Sequence, residues 1–166
     1  MNRTTLTVGL CLLGSAGFGA AQSKQSGVGK CEEKPEISQP AEVGDRANHR
    51  LVLTKQACTW TTPMEMGGLK SKSYVITVLS DVAGTRSQDR GYVVTTMDNG
   101  DKAYVRFQGA STFPAKEGEP GTGEGTWTYT GGTGKLRGLT GKGTYKSANS
   151  EDHVDGEWAI AEPKKK

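Results

Sequence analysis

Hydrophobic and polar residues alternate along several short stretches of the chain, as expected for β-strands that bury one face. In residues 102–108, for example, Val105 and Phe107 alternate with Tyr104 and Arg106. Further stretches rich in β-branched and aromatic residues predict strands over residues 51–60, 74–79, 91–97, 127–129, 143–145 and 154–160. Beyond the N-terminal segment, the apolar spacing of an amphipathic helix does not occur. The pattern predicts an all-β domain of about seven or eight short antiparallel strands.

The first of these strands has a break in its alternation. Within residues 51–60, a bulge at Lys55 and Gln56 would reverse the facing of the chain and bring Leu53 and Cys58 to the same side.

Turn residues separate the predicted strands. Asn99 and Gly100 lie between two strand patterns, which is typical of a type I′ hairpin whose two central residues both have positive φ. Residues 81–90 are predicted to form a polar loop, and residues 114–125 a flexible loop rich in glycine and charge.

One glycine-rich stretch, TYTGGTGKLRGLTGKGTY over residues 128–145, predicts how the sheet closes. Gly131, Gly132, Gly134 and Gly138 suit a tight turn beside a strongly bent strand, because glycine accepts positive φ and close backbone approach. The recurrence of glycine at strand corners favours a closed barrel over a sandwich. The interior of such a small barrel is either filled by side chains or holds one small ligand.

This stretch resembles the glycine-rich hairpin of the allene oxide cyclase and dirigent superfamily, in which a strand, a Gly-Gly-Thr-Gly-type turn and a glycine-punctuated strand follow one another. The chain resembles small exported bacterial proteins of unknown function more closely still, through Cys58-Thr59-Trp60, Asn99-Gly100-Asp101-Lys102 and Gly125-Thr126-Trp127. The resemblance covers residues 46–161 and implies a small closed eight-stranded antiparallel β-barrel of the allene oxide cyclase or calycin kind. No catalytic residue is carried over, because the pocket residues of either family have no matching positions in this sequence.

The N-terminus has the pattern of a secretory signal peptide. Arg3 precedes an apolar stretch, and small residues before Ala21 predict cleavage after that position, so residues 1–21 would be removed. The alternative is an uncleaved anchor, for which the apolar stretch is short. Residues 22–45, poor in large aliphatic side chains, are predicted as a flexible arm ahead of the barrel domain. The protein is therefore expected to be periplasmic or secreted, with no membrane attachment after cleavage.

Export changes how the cysteines are interpreted. Cys11 would leave with the signal peptide, so Cys31 and Cys58 remain as a pair in an oxidising compartment. A disulfide between them is predicted on that ground. The alternative is that Cys31 lies in the arm and Cys58 is simply buried.

Charge and motifs exclude several functions. The net charge is +3, and residues 162–166 form a basic tail that supplies much of the excess, so a basic nucleic-acid-binding face is not expected. His49 and His153 are the only histidines, and neither lies in a metal-ligand motif. A cation at the acidic residues around His153 is the alternative to a plain charged turn. We expect no metal and no cofactor.

The remaining candidate site is a polar and aromatic set. If Tyr104 and Arg106 face the barrel interior, Arg106 is a fixed donor for an anionic or carbonyl group. Trp127 is a further candidate pocket residue, and the alternative is that it belongs to the packed core of the barrel. If they face solvent, Arg106 is a surface charge, and sequence does not fix the register. The leading hypothesis is a non-catalytic binding module for a small, partly apolar molecule. The alternatives are an isomerase or cyclase resembling allene oxide cyclase, and a filled structural barrel without a pocket.

Overall fold

The computed structural model describes residues 22–114 and 121–161, and nearly all of them lie in β-strands. The strands are β1 (Ser23–Cys31), β2 (Ile37–Glu42), β3 (His49–Thr62), β4 (Glu65–Met66), β5 (Leu69–Ala83), β6 (Arg86–Met97), β7 (Lys102–Thr112), β8 (Thr122–Gly132), β9 (Leu139–Ala148) and β10 (Glu151–Ile160). The predicted signal peptide over residues 1–21 and the basic tail over residues 162–166 lie outside the described residues. Within the described ranges, no helix has the length and apolar character needed to span a bilayer.

Eight strands close into an antiparallel barrel, which confirms the predicted fold class. The order around the barrel is β1-β3-β5-β6-β7-β8-β9-β10, and β10 pairs back onto β1. The two remaining strands are additions to this barrel, because β2 pairs with the first half of β3 and β4 pairs with the start of β5.

The structure corrects the predicted start of the barrel. Ser23–Cys31, expected within a flexible arm over residues 22–45, is strand β1 and joins β10 to β3. Its buried positions are Gln25, Gly27 and Gly29, none of which is a large apolar residue. Buried and exposed positions therefore alternate along β1, but a hydrophobicity pattern does not detect this because the buried residues are glutamine and glycine.

The predicted bulge in β3 is wrong. The pairing of β3 with β5 runs from His49 to Thr59 without a shift in register. Leu51 and Leu53 consequently face outward, with exposed fractions of 37% and 39%.

The β5–β6 and β6–β7 hairpins occur where turn residues were predicted, but their strands and turn types differ from the prediction. The predicted polar loop over residues 81–90 is wrong, because β5 and β6 continue through it to the pair Ala83 and Arg86. The Asn99-Gly100 hairpin joins β6 to β7 as predicted. The Gly100 N–H donates to the Met97 carbonyl at 3.1 Å, so Asp98 and Asn99 are the central residues, and neither has positive φ. Gly100, which follows them, has φ of 90°, so the turn is not type I′.

A turn with positive φ at both central residues occurs instead between β9 and β10. Asn149 and Ser150 have φ of 54° and 62°, and Ala148 pairs directly with Glu151 across them. These are the features of a type I′ turn.

The glycine-rich turn after β8 packs against the β6–β7 hairpin. Gly131, Gly134 and Gly138 have φ of 140°, 52° and 82°, a region that L-residues rarely adopt. The Asp101 carboxylate accepts a hydrogen bond from the Lys135 backbone N–H at 3.0 Å. Hydrogen bonds from the Asn99 side chain and then from this N–H lower the pKa of Asp101.

The apolar core fills one end of the barrel. This end, here called the closed end, holds the fully or almost fully buried side chains Met64, Met66, Leu69, Met97, Ala103, Leu136 and Leu139. Gly132 lies against Leu136 so closely that a Cβ atom would stand 2.7 Å from its backbone oxygen. The 3-10 turn Gly134–Leu136 thereby caps the closed end.

Candidate functional site

Inside the barrel, aromatic side chains lie across glycines of neighbouring strands. The indole of Trp127 covers Gly143 and Gly156, where a Cβ atom would collide with its ring. Tyr145 covers Gly109 and Gly125 in the same way. Phe107 does so at Gly91, Tyr74 at Gly29 and Tyr129 at Gly141. Glycine in these strand interiors makes room for a large ring from a neighbouring strand.

Above the closed end the barrel is hollow. A cavity of about 520 Å³ opens toward the β5–β6 and β9–β10 hairpins. Its walls are mainly apolar and include Val52, Ile76, Val78, Val93, Val105, Phe107 and Val154. Arg50 and Phe113 lie at its rim and are exposed. The volume and the apolar lining are typical of a pocket for one small molecule.

One carboxylate in the cavity wall is held by hydroxyls from two other strands. Asp152 of β10 accepts hydrogen bonds from the Tyr74 hydroxyl at 2.8 Å and from Ser147 Oγ at 2.5 Å. Tyr74 belongs to β5 and reaches Asp152 past Gly29 of β1, which has no side chain to block it. We call this the Asp152 cluster.

A second carboxylate is held in the same manner. Asp89 of β6 accepts hydrogen bonds from Ser87 Oγ at 2.8 Å and from Ser111 Oγ at 2.5 Å. Its exposed fraction is only 8%, yet its partners are two neutral hydroxyls. We call this the Asp89 cluster.

The cavity tyrosines are held in their protonated form. Burial raises the pKa of Tyr145 to about 12, and the charges of Asp89 and Asp152 add to the effect. Burial first, then the charge and hydrogen bond of Asp152, raise the pKa of Tyr74. Both phenols are therefore hydrogen-bond donors at neutral pH.

Two tryptophans line the cavity, and they differ in their hydrogen bonding. The Trp127 indole donates to the Thr144 carbonyl at 3.1 Å. The buried Trp60 indole N–H has no acceptor among the described residues. Trp127, a candidate pocket residue from the sequence, lines the cavity and also packs in the core cluster.

Tyr104 and Arg106 lie outside the barrel, which corrects their predicted place in the pocket. Val105 and Phe107 take the inward positions of β7, so Tyr104 and Arg106 face solvent. Tyr104 is 38% exposed and pairs across the strands with Val94. The solvent-facing alternative of the sequence prediction is the one that the structure contains.

The predicted disulfide is confirmed. Cys31 and Cys58 are bonded at 2.03 Å and lie directly opposite each other on β1 and β3. Cys31 also lines the cavity, within 3.8 Å of the Asp152 carboxylate. The bridge thus ties β1 to β3 beside the Asp152 cluster.

The histidines lie in different surroundings. His49 is buried on the outer side of β3 and bonds to Asp45 and, at 2.8 Å, to Asp81. His153 is largely exposed and lies 3.9 Å from Glu151. Over the described part of the chain, no group of three or more His, Cys, Asp or Glu side chains could hold a metal ion.

Sequence reasoning missed Asp89 and Tyr145, and it considered Asp152 only as part of an acidic turn around His153. Asp89 falls in the stretch predicted as a polar loop, although Ser87 and Asp89 sit at alternating, inward positions of β6. Tyr145 sits between Gly143 and Ser147 at inward positions of β9. Side chains of a strand point alternately to its two faces, so the period-two spacing was a usable signal. It would have identified the inward faces of β6 and β9 only if polar residues had been expected inside the barrel.

Comparison with known proteins supports the fold. No protein-family model matches the chain, and no curated protein sequence matches it significantly. The crystal structure of a protein of unknown function of the DUF3224 family from Shewanella oneidensis is similar, with a TM-score of 0.55 at 15% identity, and covers 86% of this chain and 100% of its own. A conserved protein of unknown function from Rhodopseudomonas palustris reaches a TM-score of 0.49 at 10% identity, over 86% of this chain and 99% of its own. Neither name mentions allene oxide cyclase or dirigent proteins, so that finer resemblance stays a prediction. The chain shares its barrel fold with a bacterial protein of unknown function.

Proposed function

We propose that the protein is a non-catalytic binding module that holds one small, partly apolar molecule in the hollow half of its barrel. The observation that carries this proposal is the cavity of about 520 Å³ with apolar walls. Such cavities bind ligands because the apolar surfaces of both the cavity and the ligand are removed from water when they meet.

The polar groups of the cavity also support binding. They are few and fixed in place, namely the carboxylates and hydroxyls of the Asp89 cluster and of the Asp152 cluster. Such fixed polar groups orient a ligand that the apolar walls hold.

The two alternatives have less support. A filled structural barrel would not leave a cavity of this size. The isomerase or cyclase alternative comes from the resemblance to allene oxide cyclase, and Tyr104 and Arg106, whose substitution it would expect to reduce turnover, lie on the outer face.

The proposal is tested by titrating the protein with N-phenyl-1-naphthylamine, a neutral apolar dye whose fluorescence rises in an apolar site. We expect saturable binding of one dye per protein. Val93→Trp places a large side chain in the cavity and should weaken binding by at least about tenfold, or 1.4 kcal/mol. Val94→Trp, on the outer face of the same strand, is the matched control and should bind like the wild type.

The outcomes separate the proposal from its alternatives. Equal weakening by both tryptophan variants would locate the dye on the outer surface and contradict the proposal. A wild-type protein that does not bind the dye would favour the filled barrel. Thermal melting of each variant checks that it remains folded.

We also infer that the protein is exported. The signal-like N-terminus motivates this inference, and the disulfide supports it because such bonds persist in oxidising compartments. The intact mass of the protein recovered from the cells that export it should begin at Gln22. Recovery of the full-length chain from the cytoplasm alone would contradict export.

A further inference from the structure

The charges that face the cavity are unevenly placed. The carboxylates of Asp89 and Asp152 are in its wall, whereas Arg50, its one basic residue among those described, lies exposed at the rim. Solvent screens a charge at the rim far more than a charge within the wall. The interior of the cavity therefore carries a negative potential.

Neutral donors leave this negative charge unbalanced. Within residues 22–114 and 121–161, Asp89 and Asp152 accept hydrogen bonds only from serine and tyrosine hydroxyls. Among the described residues, no basic side chain forms an ion pair with either carboxylate. Each ionised carboxylate has about four lone-pair positions, so both can accept a further hydrogen bond from a ligand.

The two clusters lie at the same level of the barrel wall. Ser111, which bonds to Asp89, and Ser147, which bonds to Asp152, are in one row across β7, β8 and β9, with Gly123 between them. Both carboxylates therefore face the same level of the cavity, and a cationic group there is attracted by both.

We infer that the cavity selects a molecule whose apolar body carries one protonated amine, held near Asp89 and Asp152. This inference rests on the proposed binding function and names the class of ligand. The valine and phenylalanine walls receive the hydrocarbon part, and the carboxylates receive the ammonium group in charge-assisted hydrogen bonds. Apolar walls give no such advantage to a hydrated metal ion.

A matched series of ligands tests the inference on the wild-type protein. Octylamine, 1-octanol and octanoate share a chain length and differ in head group, and each is used to displace N-phenyl-1-naphthylamine near neutral pH. We expect octylamine to displace the dye at a concentration at least about tenfold lower than octanol needs, and octanoate to be the weakest.

Substitutions then assign the preference to the two carboxylates. Asp89→Asn and Asp152→Asn, alone and together, should reduce the advantage of octylamine, measured as the ratio of the octanol to the octylamine concentration that displaces half of the dye. The ratio is taken within each variant, so a change in the variant's affinity for the dye cancels. Asp155→Asn removes an exposed carboxylate from the same strand as Asp152 and should preserve the ratio.

The outcomes distinguish the inference from the function on which it rests. If the dye binds but octylamine and octanol displace it equally, or octanoate displaces it best, the amine inference is overturned and the binding function stands. If the dye does not bind at all, the proposed function fails, and the inference fails with it. The wild-type ligand series decides the matter even if an asparagine variant does not fold.

Discussion

At the scale of single residues, glycines in strand interiors are matched to aromatic rings from neighbouring strands. The pair of Trp127 with Gly143 and the pair of Tyr145 with Gly125 are directly opposite each other in register. Each glycine frees the volume that the ring occupies, so the large aromatic side chains fit within a small barrel.

Ser150 offers a test of backbone strain at this scale. Its φ of 62° lies in the left-handed region, which costs a residue with a Cβ atom about 1 kcal/mol or more. Ser150→Gly should raise the free energy of unfolding by about 0.5 kcal/mol, after the larger entropy of the unfolded glycine chain is subtracted. Urea unfolding measures the change. Ser150→Ala retains the Cβ atom and should give no gain, and an equal gain from both variants would contradict the strain argument.

His49 predicts a dependence of stability on pH. Hydrogen bonding to Asp45 first and to Asp81 second raises the pKa of His49. The stability that protonated His49 contributes is therefore fully present below about pH 6.5, its unfolded pKa, and is lost as pH rises through the higher folded pKa. The melting temperature of the wild type should exceed that of His49→Gln most near pH 5, and the gap should narrow toward pH 9.

His153→Gln is the matched control for this experiment, since His153 is largely exposed on the outer face. It should leave the pH profile of the melting temperature as it is in the wild type. A gap between wild type and His49→Gln that is constant over the whole pH range would contradict the role of His49.

Which residues reach the cavity could be predicted only in part. Trp127 was a candidate because a large aromatic side chain contributes much buried area in a small barrel, and the structure places it both in the core cluster and in the cavity wall. Tyr104 and Arg106 required the register of β7, and shifting a strand by one residue exchanges its two faces. Asp89 and Asp152 depend on contacts with serines and a tyrosine from other strands, and such long-range contacts are not encoded locally.

At the scale of elements, β1 depends on its attachment to β3. Its buried face consists of Gln25, Gly27 and Gly29, which provide little apolar burial. Backbone pairing with β10 and β3 and the Cys31–Cys58 bridge therefore hold it in the barrel.

The disulfide should consequently make a large contribution to stability. The two cysteines are 27 positions apart, and closing a loop of that size stabilises the folded state by roughly 3.5 kcal/mol through the unfolded chain. Cys31→Ala combined with Cys58→Ala should lower the free energy of unfolding by about that amount in urea. Reductant should destabilise the wild type and leave the double variant unchanged. A double variant within about 0.5 kcal/mol of the wild type would show that backbone pairing suffices.

The strand predictions succeeded where apolar residues alternate and failed where they do not. The β7 pattern of Val105 and Phe107 was predictive because its inward residues are large and apolar. β1 and the β5–β6 hairpin were missed because their inward positions include glycine, serine and aspartate. A barrel that leaves part of its interior hollow and places glycine, serine and aspartate at some inward positions weakens the signal on which such predictions depend.

At the scale of the whole molecule, the barrel is divided along its axis. Methionine and leucine side chains fill the closed end, which fixes the position of the strands. The opposite end remains hollow, with apolar walls and two hydroxyl-bound carboxylates. A rigid packed end and a preformed cavity are the arrangement that a binding module requires, because little ordering is needed when the ligand enters.

Methyl NMR shows directly whether a ligand enters the cavity. Valine and leucine methyl spectra would be recorded while N-phenyl-1-naphthylamine is added. We expect large chemical-shift changes for the cavity residues Val52, Val78 and Val105, and small ones for Leu53 and Val94 on the outer face. Changes concentrated at Leu53 and Val94, or no change at the cavity valines at saturating dye, would contradict binding in the cavity.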